Sequence, residues 1–395
     1  MLSVLLVLSL AQPALDTRST WPGPLLHVHG NDGPEVIAYL QPELDLVAVR
    51  LSIPLEEYPG AVSGAVAHQQ LVSDRLSAAV ARLGGRVELS RRPTHVVYMV
   101  VGPGRELPGL VSALREALLS PSASPDEVTA AWLRAERIAL AGLEIPAARI
   151  RHELWSRFQA TNDAGDALVA VRGPDELEAF WQRHYLPDRM RVIVVGGTDE
   201  RTVISAFSSW NSPGRRAGSV PTRSASLEPA PQLMAPWVGV GFDGRSIPPA
   251  ALAVAAHVLD EALRAADVRE AAAELWLHRD GAAVVVLGAG RPGSSGTATV
   301  RRLTESLLEI VESVAEAPDD IAIDRARKAL RRDLVLATRT PQGLAEVLGD
   351  FADRTGDPGF AAAVMSQIDR LSQTEVRTAL RALANRRPLV VEMSP

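Results

Sequence analysis

The same order of predicted structural elements occurs twice along the chain, and this repetition constrains the fold more than any single motif. Each half consists of a strand, a helix, further strands, several helices and a final strand. Val, Ile and Leu dominate the strands, whereas apolar residues recur at helical spacing in the helices. Residues 211–236 separate the halves and are rich in Pro, Ser, Gly and Arg, as is typical of a linker. This order predicts two similar α+β units, although the residues show no strict repeat.

The pattern defines the segments of the chain and their elements. The predicted segments are 1–15, a candidate signal; 16–210, the N-terminal domain; 211–236, the linker; and 237–395, the C-terminal domain. Predicted strands are 36–40, 46–53, 86–101 as one or two strands, 190–195, 237–242, 282–287 and 388–392. Predicted helices are 61–83, 107–119, one from 125, 150–158, 174–184, 199–210, 249–265, 297–314, 319–337, 341–353, 360–371 and 374–384.

Composition excludes several classes of function. The 395 residues, 47% of them hydrophobic, suffice for two buried cores. The chain has no cysteine, so disulfides, thiolate metal sites and cysteine nucleophiles are excluded. The formal net charge of −6 argues against a nucleic-acid partner, because such proteins usually have a basic surface.

The N-terminus resembles a short secretory signal. Residues 2–10 are almost wholly apolar, and Ser9, Leu10 and Ala11 form a small-x-small cleavage pattern, although no basic residue precedes them. A signal predicts a periplasmic or secreted protein; without one, we expect a cytoplasmic protein. The segment is too short to cross a bilayer comfortably, and no other run approaches twenty apolar residues. We therefore predict no membrane span in the mature chain.

Four segments together indicate a family. They are GAVAHQQLVSDRL at 64–76, LGGRVELSRRPTHVVYMVV at 83–101, ELPGLVSALREALLSP at 106–121 and FWQRHYLPDRMRVIVVGG at 180–197. Their order and spacing resemble the pitrilysin/insulinase family of zinc peptidases, which includes mitochondrial processing peptidase, over nearly the whole mature chain. The resemblance implies an α+β fold of two similar domains, each a mainly antiparallel sheet covered by helices, that face each other across a cavity. Such chains are often paired with a second one.

The resemblance also implies where the zinc site of the family would lie. Active members have His-x-x-Glu-His on the first long helix, where histidines at i and i+4 share one face and the Glu activates the bound water. Here His68 matches the first ligand, but Leu71 stands at the base position and Val72 at the second ligand position. Neither side chain can bind a metal or transfer a proton. A lone helical histidine is more often structural, which is the favoured interpretation of His68.

The third zinc ligand of the family lies on a later helix, seven residues after another acid. Glu136 matches the first acid, whereas Leu143 stands at the ligand position. Glu144 is adjacent, but one residue turns about 100° around a helix. We therefore predict no metal and no cofactor in this chain, and zinc only in a partner chain.

The other histidines give at most a weak indication of a metal site. His27 and His29 alternate on a predicted strand and so share one face, and Asp32 and Glu35 are near in sequence. His-x-His alone is a weak signal. The remaining histidines are interpreted as structural or as lacking patterned partners, namely His95, His152, His184, His257 and His278.

One glycine-rich stretch matches a nucleotide-binding pattern only formally. Residues 288–296, GAGRPGSSG, have the dinucleotide spacing G-x-G-x-x-G. Pro292 lies inside the turn, however, and removes a backbone N–H that a phosphate would need. No clear βαβ unit surrounds it. A loop between a strand and the predicted helix 297–314 is the favoured interpretation.

The resemblance implies two sets of substrate contacts. Active assemblies have an Arg and a Tyr seven residues apart in the second domain; Arg269 matches the Arg, and Trp276 keeps an aromatic donor at the Tyr position. Alternatively, Arg269 is a solvated helix residue and Trp276 packs in the core. In the first domain, an edge strand of the family can accept an extended peptide. Glu88 is a candidate contact there, although such charges also protect edges from aggregation.

These features favour a non-catalytic peptidase-like subunit that pairs with a zinc-bearing homologue and helps bind an unfolded, extended peptide. One alternative is a stand-alone peptide-binding or scaffold protein of the same fold. A less favoured alternative is a divergent metallopeptidase with relocated ligands. The three hypotheses differ in where zinc occurs: in a partner, nowhere, or at other residues of this chain.

Overall fold

The chain forms two compact units, and each takes residues from both halves of the sequence. A computed structural model describes residues 25–29, 33–55, 63–92, 95–119, 123–160, 171, 173–210, 233–266, 268–278 and 281–395. The described residues of the first unit come from Met1–Ala139, Ala167–Leu227 and Ala337–Asp353, and those of the second from Leu140–Asp166, Glu228–Leu336 and Arg354–Pro395. The candidate signal and residues 211–232 of the predicted linker lie outside the described residues.

The first unit is built on a six-stranded sheet in the order β1-β2-β6-β3-β5-β4. Its strands are β1 (Leu26–His29), β2 (Glu35–Leu40), β3 (Leu46–Pro54), β4 (Arg86–Arg91), β5 (His95–Pro103) and β6 (Arg191–Gly196). Only β2 and β6 pair in parallel; the other neighbours are antiparallel. Among these strands β1 and β4 are therefore the two edges of the sheet.

Helices cover both faces of this sheet. The helices of one face are α1 (Gly64–Arg82), α2 (Leu107–Leu119), the first part of α3 (Pro125–Glu144), α5 (Leu177–His184) and α6 (Glu200–Phe207). Alternate strand residues such as Val49, Leu51 and Val194 pack with them, because side chains alternate across a strand. The opposite face, which includes Ile193, packs on Leu344 and related residues of one helix, α10 (Pro341–Thr355).

The second unit is built on a four-stranded antiparallel sheet in the order β10-β7-β9-β8. Its strands are β7 (Trp237–Asp243), β8 (Arg269–His278), β9 (Gly281–Ala289) and β10 (Leu389–Met393). The helices on one side of this sheet are α7 (Pro249–Ala265), α8 (Thr297–Glu316), α9 (Asp320–Ala337), α11 (Phe360–Arg370) and α12 (Gln373–Ala384). The opposite face of the sheet packs on α4 (Pro146–Ala160), from the N-terminal half of the chain.

Most predicted elements occur at their expected places. The region 86–101 forms two strands, and the predicted helix 174–184 is a short 3-10 turn followed by α5. The glycine-rich stretch is the end of β9 and a loop before α8, as expected. The interpretation of Arg269 as a helix residue is wrong, because it begins β8. None of the described helices has both the length and the apolar character needed to cross a membrane.

Candidate functional site

His68, the residue predicted to match a zinc ligand, lies on α1. Ser63 begins this helix, since its side chain accepts a hydrogen bond from the backbone of Val66. His68 is fully buried, and its Nδ1 lies 2.7 Å from the Tyr98 hydroxyl, which lies 3.1 Å from the Tyr185 hydroxyl. Its ring stacks at a tilt on Tyr185, with ring centres 4.3 Å apart. The site is thus an aromatic, hydrogen-bonded part of the core.

Burial determines the charge of this histidine. Desolvation lowers the pKa of His68 to about 3, so the ring is neutral at pH 7. Its Nε2 has no hydrogen-bond partner among the described residues. The Trp181 ring lies edge-on to it at a centre distance of 5.1 Å. This surrounding contains aromatic rings rather than the carboxylates or imidazoles that would complete a metal site.

Two of the other positions that the resemblance marks, Leu71 and Val72, also have apolar surroundings. Val72 is buried, and the half-buried Leu71 packs against the same core. Glu136 is half-buried on α3, and Leu143 belongs to the same helix, but its side chain lies outside the described residues. In the described part of the chain, no three His, Asp or Glu side chains are grouped so that they could hold a metal ion.

The structure describes the weak His27 pattern only in part. His27 and His29 lie on β1, opposite Ile37 and Glu35 of β2. The carboxylate of Glu35 accepts a bond from Arg191 at 2.7 Å. The side chain of His29 and the whole of Asp32 lie outside the described residues.

Glu88 lies on the exposed edge strand β4, but its carboxylate has a partner. Gln342 of α10 donates to Glu88 Oε2 at 2.7 Å, and the side chain of Arg86 donates to Gln342. On the inner side, Gln69 of α1 donates to the backbone oxygens of Ser90 and Val97, at 3.0 and 3.1 Å. The strand is therefore held from α1 and from α10.

Arg269 and Trp276 lie at opposite ends of β8. Arg269 is exposed and pairs with Ala289 of β9, whereas Trp276 pairs with Ala283. The two partners lie six positions apart along β9, which corresponds to roughly 20 Å. The register shifts between Arg269 and Ala272, where Glu270 has a φ of +49°. The structure does not bring the two predicted contacts together.

Trp276 is half-buried against α4. Its ring lies edge-on to Trp155 and Phe158, with centres 5.7 and 6.3 Å away. Its Nε1 donates to Glu274 Oε2 at 3.1 Å, and Arg151 of α4 donates to the other oxygen of Glu274. The indole donor and much of the ring therefore have partners within the second unit.

Arg50, in the middle of β3, belongs to a charged cluster that sequence reasoning missed. It is fully buried and binds Glu346 at 3.1 Å, Asp350 at 2.9 Å and Asp353 at 2.8 Å. Burial alone would lower the pKa of Arg50, but the three carboxylates outweigh it and raise the pKa above its usual value. His95 of β5 lies 3.2 Å from Asp353, so its interpretation as a structural residue is consistent with this contact.

A sequence signal for this cluster exists. Arg50 interrupts the apolar run VAVRLSI, and a charge is rarely buried unless it is paired. Glu346, Asp350 and Asp353 recur at i, i+4 and i+7, so they share one face of the predicted helix 341–353. The spacing alone did not indicate that this helix packs on that strand.

No protein-family model and no curated protein matches the sequence. The fold, however, has close counterparts among solved structures. A protease from Helicobacter pylori has a TM-score of 0.73 at 13% identity, over 95% of this chain and 100% of that chain. An inactive domain of peptidase M16 from Pseudomonas fluorescens has a TM-score of 0.70 at 13% identity, over 93% and 97%. The periplasmic protease PqqL from Escherichia coli has a TM-score of 0.66 at 13% identity, over 94% of this chain and 45% of that one.

These similarities identify the fold. The chain has the two-domain, M16-like peptidase fold, and the predicted α+β class is confirmed. Since the similar structures include both a protease and a domain described as inactive, the fold does not decide activity. That question depends on the residues at the site.

Proposed function

We propose that this chain is a non-catalytic, peptidase-like subunit that pairs with a zinc-bearing homologue and helps bind an unfolded, extended peptide. The observation that most supports this proposal is the environment of the His68 side chain. This ligand position holds a neutral, fully buried imidazole bonded to Tyr98, and the position one turn later is the buried Val72. Such a site offers no water activation, so zinc would come from the partner.

The peptide-binding part of the proposal rests on two exposed features. The edge strand β4 has one neighbouring strand, β5, and could receive an extended peptide on its other side. Arg269 is exposed at one end of β8 and could donate to a peptide carbonyl. Trp276 fits this role less well, because its donor is bonded to Glu274. The periplasmic location of one structural neighbour is in keeping with a periplasmic or secreted protein.

Metal analysis and turnover test the proposal directly. We expect the purified chain to hold no stoichiometric zinc and not to cleave fluorescein-labelled casein alone. A zinc-bearing homologue from the same source should bind it, and the complex should degrade casein faster than that homologue alone. About one zinc per chain, lost in His68→Ala, or chelator-sensitive turnover by the pure chain would instead support a divergent metallopeptidase.

Two variants separate the subunit from the scaffold alternative. Arg269→Ala should lower casein turnover by the complex about tenfold, as expected for one charge-assisted bond to the peptide. Arg105→Ala, which changes another exposed arginine, is the matched control. Normal turnover with Arg269→Ala would remove the substrate contact, and the absence of any complex with a zinc-bearing homologue would favour a stand-alone scaffold.

A further inference from the structure

One row of side chains on α10 contacts the edge strand β4 and the turn that follows it. Gln342 bridges Arg86 and Glu88, as described above. One turn later, the carboxylate of Glu346 accepts a bond from Arg92. The backbone N–H of Arg92 in turn donates to the backbone oxygen of His95 at 2.8 Å, which closes the connection between β4 and β5. Two successive turns of α10 therefore hold the strand and its turn.

The same helix face is anchored on the buried arginine of β3. Glu346 uses its second oxygen to accept from Arg50 Nε at 3.1 Å, so one carboxylate joins Arg50 and Arg92. Asp350 and Asp353 bind the remaining nitrogens of the same guanidinium. The planar guanidinium has donors in fixed directions, so it can donate to these three carboxylates only in one register of the helix. Arg50 thus fixes where Gln342 and Glu346 lie.

We propose that α10 is the positioning element of the peptide-binding edge. Gln342 and Glu346 are positioning residues that order β4, and the buried Arg50 sets the register of α10. This inference rests on the proposed peptide-binding function. It assigns to α10 the positioning of the strand that would bind the peptide. Strand addition is more favourable when the receiving edge is already ordered, because less conformational freedom is lost on binding.

The test uses the full chain with Gln342→Ala, which removes both contacts to β4. The matched control is Gln182→Ala, which removes a bond of the same type between Gln182 and Glu178 on α5. Hydrogen exchange of the backbone amides of β4 should become about tenfold faster in Gln342→Ala and stay unchanged in the control. Fluorescein-labelled, reduced and carboxymethylated lactalbumin is the unfolded probe, and its Kd should rise about threefold to tenfold. The melting temperature should change little in both variants.

A second variant separates positioning from general loosening of the helix. Arg191 donates to Asp353 at 3.3 Å and to Glu35, on the side of α10 away from β4. Arg191→Met should therefore speed exchange near the end of α10 but not in β4. If Arg191→Met affects β4 as strongly as Gln342→Ala does, α10 acts only as a structural support and the proposal fails.

The outcomes distinguish this inference from the function on which it rests. Unchanged exchange in β4 of Gln342→Ala would overturn the positioning role, whether or not the probe binds. Weaker probe binding without a change in exchange would also overturn it, because Gln342 would then contact the peptide directly. Faster exchange in β4, with no binding of the probe by any form of the protein, would support the positioning role and contradict the proposed peptide binding.

Discussion

Within the described residues, each of the two sheets is covered on its second face by one helix from the other half of the chain, but the two contacts differ in chemistry. In the first unit, α10 packs on its sheet through apolar residues such as Leu344 and Leu348 and, in addition, around the fully buried Arg50 and three carboxylates. In the second unit, α4 packs on its sheet through apolar residues, among them Ile150 and Leu154. The ion pair of α4, between Arg151 and Glu274, is 40% and 28% exposed.

In both contacts a glycine lets the helix approach the sheet closely. In the first unit this glycine lies on the helix, and in the second unit it lies on a strand. Gly349 of α10 lies over Arg50, and an added Cβ would lie 2.3 Å from its Nη1. In the second unit the glycine is on the strand, where a Cβ on Gly239 would lie 2.2 Å from Ile150. An apolar contact tolerates small shifts of a helix, whereas a buried guanidinium accepts few arrangements. We therefore expect α10 to be fixed in one register and α4 to depend mainly on buried area.

The largest expected effect comes from removing the buried cation. Arg50→Met leaves Glu346, Asp350 and Asp353 near one another without their shared partner, and breaking such a buried pair costs about 3–5 kcal/mol. Urea unfolding of the variant should show this loss, and hydrogen exchange should locate it in α10 and its sheet. A loss below about 1 kcal/mol would contradict the view that charge holds α10.

A combined variant checks the cause of this loss. Adding Glu346→Gln, Asp350→Asn and Asp353→Asn to Arg50→Met removes the unpaired charges and should restore part of the stability. If the combined variant is less stable than Arg50→Met alone, the loss comes from packing of the long arginine side chain rather than from unpaired carboxylates.

The second prediction addresses the aromatic contact of α4. Trp276→Ala removes a half-buried ring from Trp155 and Phe158 and should cost about 2–3 kcal/mol, less than a fully buried tryptophan. Urea unfolding measures the loss, and exchange should increase in β8 and β9. Trp155→Ala should produce a similar loss from the other side. A loss below about 0.5 kcal/mol would mean that the ring is available for another contact, such as peptide.

The sequence predicted the elements well because their local patterns were clear. The run VIVV in β6 and the apolar spacing of α1 and α2 each indicate one structure only. The strand β8 was missed because its sequence, REAAAELWLH, is rich in alanine and glutamate, which favour helices. Its pairing with β9 overrides that local preference, as tertiary context often does in strands.

The site was predictable only in part. The loss of ligands at Leu71 and Val72 follows from residue types alone, since neither side chain can bind metal. The partners of His68 do not, because Tyr98 and Tyr185 come from β5 and from the residue after α5. Contacts over such sequence distances depend on the fold, and local spacing contains no information about them.

The third prediction concerns pH and should affect the first unit. Burial lowers the pKa of His68 to about 3, and burial together with Arg189 and Arg183 lowers that of His184 to about 4. An unfolded histidine has a pKa near 6.5, so below about pH 6.5 the unfolded state binds protons that the folded state does not. Stability is therefore complete above that pH and falls as the pH decreases towards 4.

The contribution of His68 to this pH dependence can be separated from that of His184. His68→Phe keeps an aromatic ring in the cluster. The decrease in the free energy of unfolding between pH 7 and pH 5 should be about 1–2 kcal/mol smaller in this variant than in the wild type. Equal slopes for the wild type and His68→Phe, from urea unfolding at several pH values, would contradict a neutral buried His68.

The smallest expected loss of stability comes from removing the ion pair of α4, and it tests the comparison between the two helices. Arg151→Met removes a partly exposed ion pair, and such pairs contribute about 0–1 kcal/mol because water and salt screen the charges. Glu274 keeps its bond from Trp276 and its contact with solvent, so no buried charge is left without a partner. The loss should shrink further in 1 M NaCl, whereas the loss from Arg50→Met should change less, because Arg50 is fully buried and its partner Asp353 is only 7% exposed. If Arg151→Met costs as much as Arg50→Met, both helices depend on charge to the same degree, and the contrast between an ionic and an aromatic contact is wrong.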